Sequence, residues 1–275
     1  GHSVGGKIAC GVATVSLARS PQLLPGGHPS SSSSPASASA AFASVARNRA
    51  SSAIAQSACT QSMRASPPPR VPPSNRPPRM LEASKLAARR GFARLFAGLS
   101  FRVGPGEALV VTGANGTGKT TLLRMLAGLS APEDGEIRWN GKPAPPFDPA
   151  LRAATAFAGH LPSLNDELTA EENLASLVAL EGEALPRAAI GEALDSVALS
   201  RQRSLPARVL SQGQRRRIGL ARLSLLPRPL WILDEPYDAL DSDGIEAVNA
   251  LLADNLARGG SVLLTSHQAA GATSA

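Results

Sequence analysis

The chain has 275 residues, 43% of them hydrophobic, and carries 28 Lys and Arg against 21 Asp and Glu, a formal net charge of +7. Eight of the basic residues and none of the acidic ones fall within residues 1–79, so the remainder holds 20 against 21, a net of −1. A near-neutral domain behind a basic leader argues against a nucleic-acid surface, which needs clustered positive charge on the folded part.

The leader is rich in Ser, Ala and Pro, as in "SSSSPASASA" and "PPPRVPPSNRPPR". Such composition buries too little apolar surface to offset chain entropy, so residues 1–79 are expected to be disordered. An acid-free segment containing Ser and Arg also looks like an organelle transit peptide. The alternative, favoured because a domain begins promptly at "MLEASKL", is sequence upstream of a start at Met80. Both cysteines, Cys10 and Cys59, lie in this leader, which leaves residues 80–275 with neither a disulfide framework nor a thiolate metal site. No apolar run approaches the roughly 20 residues of a membrane-spanning helix.

From Met80 onward short apolar runs alternate with helical spacing. "EALVVTG" predicts a buried strand ending in a glycine turn, and "KTTLLRMLAGL" a helix with Leu122, Leu123, Leu126 and Leu129 on one side. "GEIRWNGKP" predicts a hairpin arm with an Asn-Gly turn. "LTAEENLASLVALEG" predicts a helix capped by threonine with acids in its first turn. "LWILDEP" and "SVLLTSH" predict two more buried strands, each with polar residues at its C-terminal end. Strands and helices in alternation imply an α/β fold with a mostly parallel sheet, whose ligands sit beyond the strand C-termini. No internal repeat is present.

The run Gly113, Ala114, Asn115, Gly116, Thr117, Gly118, Lys119, Thr120 fits G-x-x-x-x-G-K-[ST] without a mismatch. Its glycines let backbone N–H groups converge on one anion, Lys119 reaches the outer phosphates, and Thr120, with Thr121 beside it, opens the following helix. The Thr120 hydroxyl can ligate Mg²⁺. "LWILDEP" delivers Asp234 and Glu235 at a strand tip, Asp234 to hold Mg²⁺ and Glu235 to polarise an attacking water. The pair implies hydrolysis of a nucleoside triphosphate.

Further along stand "LSQGQ", then "LDEP", then "ALD", then a strand ending in "SH". With the phosphate loop before them, this ordered set resembles the ATP-binding cassette family over residues 80 to about 268. The resemblance implies a P-loop NTPase of cassette type, with a mostly parallel core sheet, an antiparallel β subdomain and a helical signature subdomain. ATP and Mg²⁺ would be its cofactors. It further implies that Ser211, Gly213 and Gln214 close over nucleotide bound by a second copy of the domain, and that Asp241 lies in the loop coupling the two sites. His267 would contact the γ-phosphate and help position water. The region of "LTAEENL" and Gly182 would face integral membrane permease subunits. Arg215, Arg216 and Arg217 are expected on a solvated helix face or against a partner subunit.

Two positions depart from the family pattern. His160, in "FAGHLPSLNDELT", stands where the family places the glutamine that contacts Mg²⁺ and water. Imidazole can accept from water or bind metal when neutral, but titrates where an amide does not. The aromatic residue that stacks on adenine is replaced by Arg90, with Phe92 two residues on, and either can stack on a base.

"LFAGLSF", "GQRRRIGLARL" and "LLTSHQ" narrow the resemblance to the haem-export ATPase subunits of cytochrome c maturation. That implies a peripheral subunit on the cytoplasmic face of the inner membrane, or on an organelle membrane if the leader is a transit peptide, with haem or a haem chaperone involved indirectly. The ATPase of another importer or exporter, or a soluble cassette protein without transport, are the alternatives; a single short cassette speaks against the second.

Overall fold

Buried runs and amphipathic helices assemble into two sheets and a helical layer in the computed structural model, which describes residues 11–17, 45–48, 79–160, 162–226 and 228–266. The strands are β1 (Gly11–Leu17), β2 (Val45–Asn48), β3 (Leu81–Arg90), β4 (Ala93–Val103), β5 (Glu107–Gly113), β6 (Asp134–Trp139), β7 (Lys142–Pro143), β8 (Thr155–Ala158), β9 (Leu230–Leu233) and β10 (Ser261–Ser266). The helices are α1 (Lys119–Leu126), α2 (Pro149–Ala154), α3 (Ala170–Ala179), α4 (Arg187–Ser196), α5 (Gln212–Leu225) and α6 (Ser242–Ala257).

The core sheet has six strands in the order β2-β1-β5-β10-β9-β8, parallel throughout except for the β1–β2 pair. Its central strands read as unbroken apolar runs because both faces are covered. Leu109, Val111, Ile232 and Leu263 point to one face, where they meet Leu122, Leu123 and Leu126 of α1 and the second sheet. Their neighbours Val110, Trp231, Leu233, Val262 and Leu264 point to the other, against Leu174, Leu194, Ile218 and Val248 of the helices. This is the period-two alternation of a strand filling two cores at once.

The second sheet is antiparallel, ordered β4-β3-β6-β7. Its last hairpin turns at Asn140 and Gly141, both at positive φ (55° and 75°), as the Asn-Gly dipeptide predicts. Thr169 caps α3 through a reciprocal box with Glu172, again as expected.

The expectation of a disordered leader is corrected at residues 11–17 and 45–48. Strand β1 runs parallel to β5, pairing Val15 with Val111 and Leu17 with Gly113, and Val15 and Leu17 are buried. Without β1, the outer side of β5 would present a row of unpaired backbone donors and acceptors, and β1 satisfies them. Cys10 and Cys59 lie outside the described residues.

Register sets the function-bearing edge. Ala158 pairs with Leu233 and Leu233 with Leu264, so β8 and β9 end level with each other, while β10 runs two residues further to Ser266 and β5, with Val110 level with Leu264, runs three further to Gly113. The residues that follow these strands therefore meet on one side of the sheet, as open α/β sheets place their sites.

Candidate nucleotide site

The phosphate loop leaves β5 through three glycines at positive φ: Gly113 (152°), Gly116 (79°) and Gly118 (99°). Side chains are excluded here by contact as well as conformation. A Cβ on Gly113 would lie 2.7 Å from the Leu17 carbonyl oxygen, and one on Gly118 would lie 3.0 Å from the Leu95 Cβ. Thr117 Oγ1 donates to the Ala114 carbonyl at 2.9 Å and closes the turn from within. Ala114, Asn115 and Gly116 form its exposed crest. Lys119 is buried, and its ammonium donates to the carbonyls of Gly113 (2.8 Å) and Ala114 (3.3 Å), across the loop. The first turn of α1 carries Thr120, exposed, and Thr121, half-buried.

Strand β9 brings its acids to this loop. Thr120 Oγ1 donates to Asp234 Oδ2 at 2.7 Å, so the two expected Mg²⁺ ligands are in contact. Both offer hard oxygen donors, the type such an ion prefers. Asp234 is otherwise enclosed: Thr265 Oγ1 donates to its Oδ1 at 2.8 Å, and its own N–H reaches the Ala158 carbonyl at 2.8 Å. The Thr265 hydroxyl also accepts from the Glu235 N–H at 2.7 Å, so one hydroxyl on β10 holds both acids. Glu235 has φ +52°, a sparsely populated conformation for a glutamate.

His160 joins the group. Its Nδ1 lies 3.6 Å from Glu235 Oε2, and its Nε2 lies 4.0 Å from Asp238 Oδ2. His160, Glu235 and Asp238 form a set of ligand atoms close enough to hold a metal ion. Asp238 was not anticipated, although it follows Glu235 by three residues in "DEPYD". Thr265 is not marked by the sequence either, because the register pairing Leu264 with Leu233 is what sets it beside Asp234.

The signature segment forms the N-terminus of α5. Ser211 is its cap, with Ser211 Oγ accepting from the Gln214 N–H (3.2 Å) and Gln214 Oε1 accepting from the Ser211 N–H (3.0 Å). Gly213 is demanded by a close approach, since a Cβ there would fall 2.3 Å from the Ala239 carbonyl oxygen. Asp241 caps α6, accepting from the Gly244 N–H at 2.9 Å, and faces Arg217 at 3.6 Å. Among the described residues, no hydrogen bond joins residues 211–214 to the phosphate loop.

Of the solvated face or partner contact expected for the three arginines, the solvated face is corrected at Arg216 and Arg217. Arg216 and Arg217 are buried. Arg216 donates to the carbonyls of His160, Asp234 and Glu235, and Arg217 to those of Val197 and Ala198. Burial pulls the Arg216 guanidinium below its ordinary range, against the opposing pull of Asp238, Asp234 and Glu235. Arg215 alone is partly exposed, paired with Asp166. Arg90 and Phe92 sit at the β3–β4 turn, both exposed, and Phe92 makes a fully exposed ring. His267 lies outside the described residues.

Comparison with known proteins agrees with this geometry. Residues 96–238 match the family described as ABC transporter. A relative from Nitrosomonas europaea, named "Cytochrome c biogenesis ATP-binding export protein CcmA", is 49% identical over 189 residues, covering 69% of this chain and 89% of its own length. A solved putative ABC transporter ATP-binding protein from Pyrococcus furiosus aligns with TM-score 0.62 and 26% identity, covering 69% of this chain and 92% of its own. A dimeric ATP-binding cassette bound to ADP and Pi shares the fold, with TM-score 0.60 at 24% identity over 68% of this chain and 88% of its own. By the extent of these matches, this chain belongs to the ABC transporter family.

Proposed function

We propose that the chain is the ATP-hydrolysing subunit of a cytochrome c biogenesis transporter, acting as a pair of copies on membrane permease subunits. The observation that carries the hydrolytic reading is the Thr120–Asp234 contact of 2.7 Å, with Glu235 next on the same strand end. The printed name of the Nitrosomonas relative supports the biogenesis assignment. Haem or its chaperone would be handled by the wider system.

The backbone N–H groups of residues 113–120 and the N-terminus of α1 receive the phosphates. Lys119 exchanges its loop carbonyls for outer phosphate oxygens. Thr120 Oγ1 and Asp234 Oδ2, 2.7 Å apart, would hold Mg²⁺, which would supply neutralisation of charge on the phosphates. Glu235 accepts a hydrogen bond from the attacking water and turns its oxygen toward the γ-phosphorus. As that O–P bond forms, the bond to the ADP oxygen breaks and phosphate leaves. His160, 3.6 Å from Glu235, helps fix the carboxylate, and His267 is assigned to the γ-phosphate. Arg90 or Phe92 stacks on adenine.

Ser211, Gly213 and Gln214 complete the site of the second copy. The anion affinity of a helix N-terminus supports this. Asp241 faces Arg217 of the signature helix at 3.6 Å, in keeping with coupling of the two sites. The helical layer around "LTAEENL" and Gly182 is assigned to the permease. Peripheral attachment at the cytoplasmic face of the inner membrane is proposed from the likeness to the Nitrosomonas relative; among the described residues no helix is long and apolar enough to cross a membrane.

Purification of tagged Glu235→Gln protein from native membranes with Mg-ATP tests the assignment. Recovery of permease subunits together with cytochrome c biogenesis components is expected. Recovery with an unrelated permease would move the chain to another transporter, and recovery without any membrane protein would favour a soluble cassette.

A further inference from the structure

We propose that Arg216 is a positioning residue for hydrolysis, tying the signature helix to the backbone of Glu235 and His160 in the same chain. The proposal rests on the reading of Glu235 as the group that orients water.

The β8–β9 ladder runs out at the site. Its last bond is from the Asp234 N–H to the Ala158 carbonyl, after which the two chains part. Beyond that point the Glu235 carbonyl accepts from the Asp238 N–H at 3.1 Å in the turn that follows. The Arg216 guanidinium, buried on α5, donates to the carbonyls of His160, Asp234 and Glu235 and so bridges the two diverging segments. One terminal nitrogen donates to His160, and the other to Asp234 and to Glu235, the last at 2.6 Å. A planar fork of N–H donors suits carbonyls diverging from two strands, whereas an ammonium offers one point.

What the fork holds is the geometry of the reacting group. Glu235 sits in a left-handed backbone conformation that persists only when its surroundings enforce it. Its carboxylate lies 3.6 Å from His160, and both backbones are pinned to the same guanidinium. The Arg216 Nε is buried without a hydrogen-bond partner, so the site spends a donor to present the other two nitrogens in this orientation.

The consequence reaches across the pair of sites. Arg216 lies five residues from Ser211 on the same helix, so a shift of the Ser211 end against a second nucleotide moves Arg216, and with it Glu235 and His160. Arg217 extends the linkage to Asp241. Arg222 is a matched comparison on the same helix: it is also largely buried and holds the Phe157 carbonyl, but touches neither catalytic residue.

The test compares Arg216→Lys, Arg216→Gln and Arg222→Lys, with Glu235→Gln alongside, in the full chain assembled with its membrane partners. For both Arg216 variants the expected result is a fall in kcat of about tenfold or more, with ATP affinity within about twofold of wild type. Arg222→Lys should keep kcat while losing a similar amount of thermal stability. Equal kcat loss in the Arg216 and Arg222 variants would reduce Arg216 to a structural role and overturn the proposal. So would unchanged turnover in Arg216→Gln, or failure of both Arg216 variants to fold while Arg222→Lys folds. If Glu235→Gln retains turnover, the underlying site assignment fails instead, whatever Arg216 does.

Discussion

Thr120 and Asp234 are 114 residues apart in sequence, yet the threonine hydroxyl donates to the aspartate at 2.7 Å. Two parallel strands delivering their ends to one edge bring the phosphate loop and the acidic pair together. The residues around this contact divide into those that meet charge already present on bound ATP and those needed only when water attacks.

On the proposed function, Lys119 belongs to the first group and Glu235 to the second. Lys119→Ala should weaken ATP binding by roughly a hundredfold, since a charge-assisted contact to phosphate is lost in the ground state. Glu235→Gln should bind ATP normally and lose turnover, because its role arises in the transition state. Equilibrium binding of labelled ATP beside single-turnover hydrolysis separates the two. Equal loss of affinity in both variants would contradict the assigned roles.

Thr265 should matter to both folding and chemistry. It is fully buried, and its hydroxyl serves Asp234 and Glu235 at once. Thr265→Val keeps the shape but strands the Glu235 N–H and an Asp234 oxygen, at a cost of roughly 1–3 kcal/mol. A lower thermal midpoint together with a lower kcat is expected. A variant with wild-type turnover would show that the hydroxyl does not hold the acids in place.

The leader makes a sharper case because sequence and structure disagree. A protein beginning at Met80 loses β1, which buries Val15 and Leu17 and abuts Gly113 at the root of the phosphate loop. Burial of two such side chains is worth roughly 1.5–3 kcal/mol each before ordering costs. A fall in melting temperature of about 5 °C or more is therefore expected on truncation. Val15→Asp in the full chain should reproduce the direction of the change. Identical melting curves for full and truncated chains would return residues 1–79 to the status their composition suggests.

That disagreement shows what kind of information the sequence carries. Elements whose cause is local were legible: the glycine spacing of residues 113–120, the Asn140-Gly141 turn, the Thr169 cap, and the apolar run Leu230–Leu233. Features whose cause is a distant partner were hidden. Strand β1 is a strand because β5 needs a neighbour, and the surrounding Ser- and Ala-rich composition masks its short alternation. Arg216 reads as a surface arginine until the carbonyl of His160, 56 residues away, is placed in its path. Thr265 gains its role only through register with β9.

The final prediction concerns Ser211, which has two duties that can be pulled apart. In its own chain it caps α5. In the proposed pair it faces the γ-phosphate held by the other copy. Ser211→Asp keeps the first duty, since aspartate is among the best N-caps, but sets a carboxylate against phosphate. Glu235→Gln with Mg-ATP should accumulate a dimer, because the unhydrolysed γ-phosphate persists between the signature of one chain and the loop of the other. Association must offset an estimated ~4–15 kcal/mol of lost freedom, so repulsion at this one contact is enough to prevent it. The double variant Glu235→Gln with Ser211→Asp should therefore remain monomeric, with an unchanged melting temperature and intact ATP binding at its own Lys119 loop. Sedimentation with labelled ATP reads all three properties. If the double variant dimerises as well as Glu235→Gln alone, Ser211 does not face the second nucleotide, and the shared site must be built from other residues.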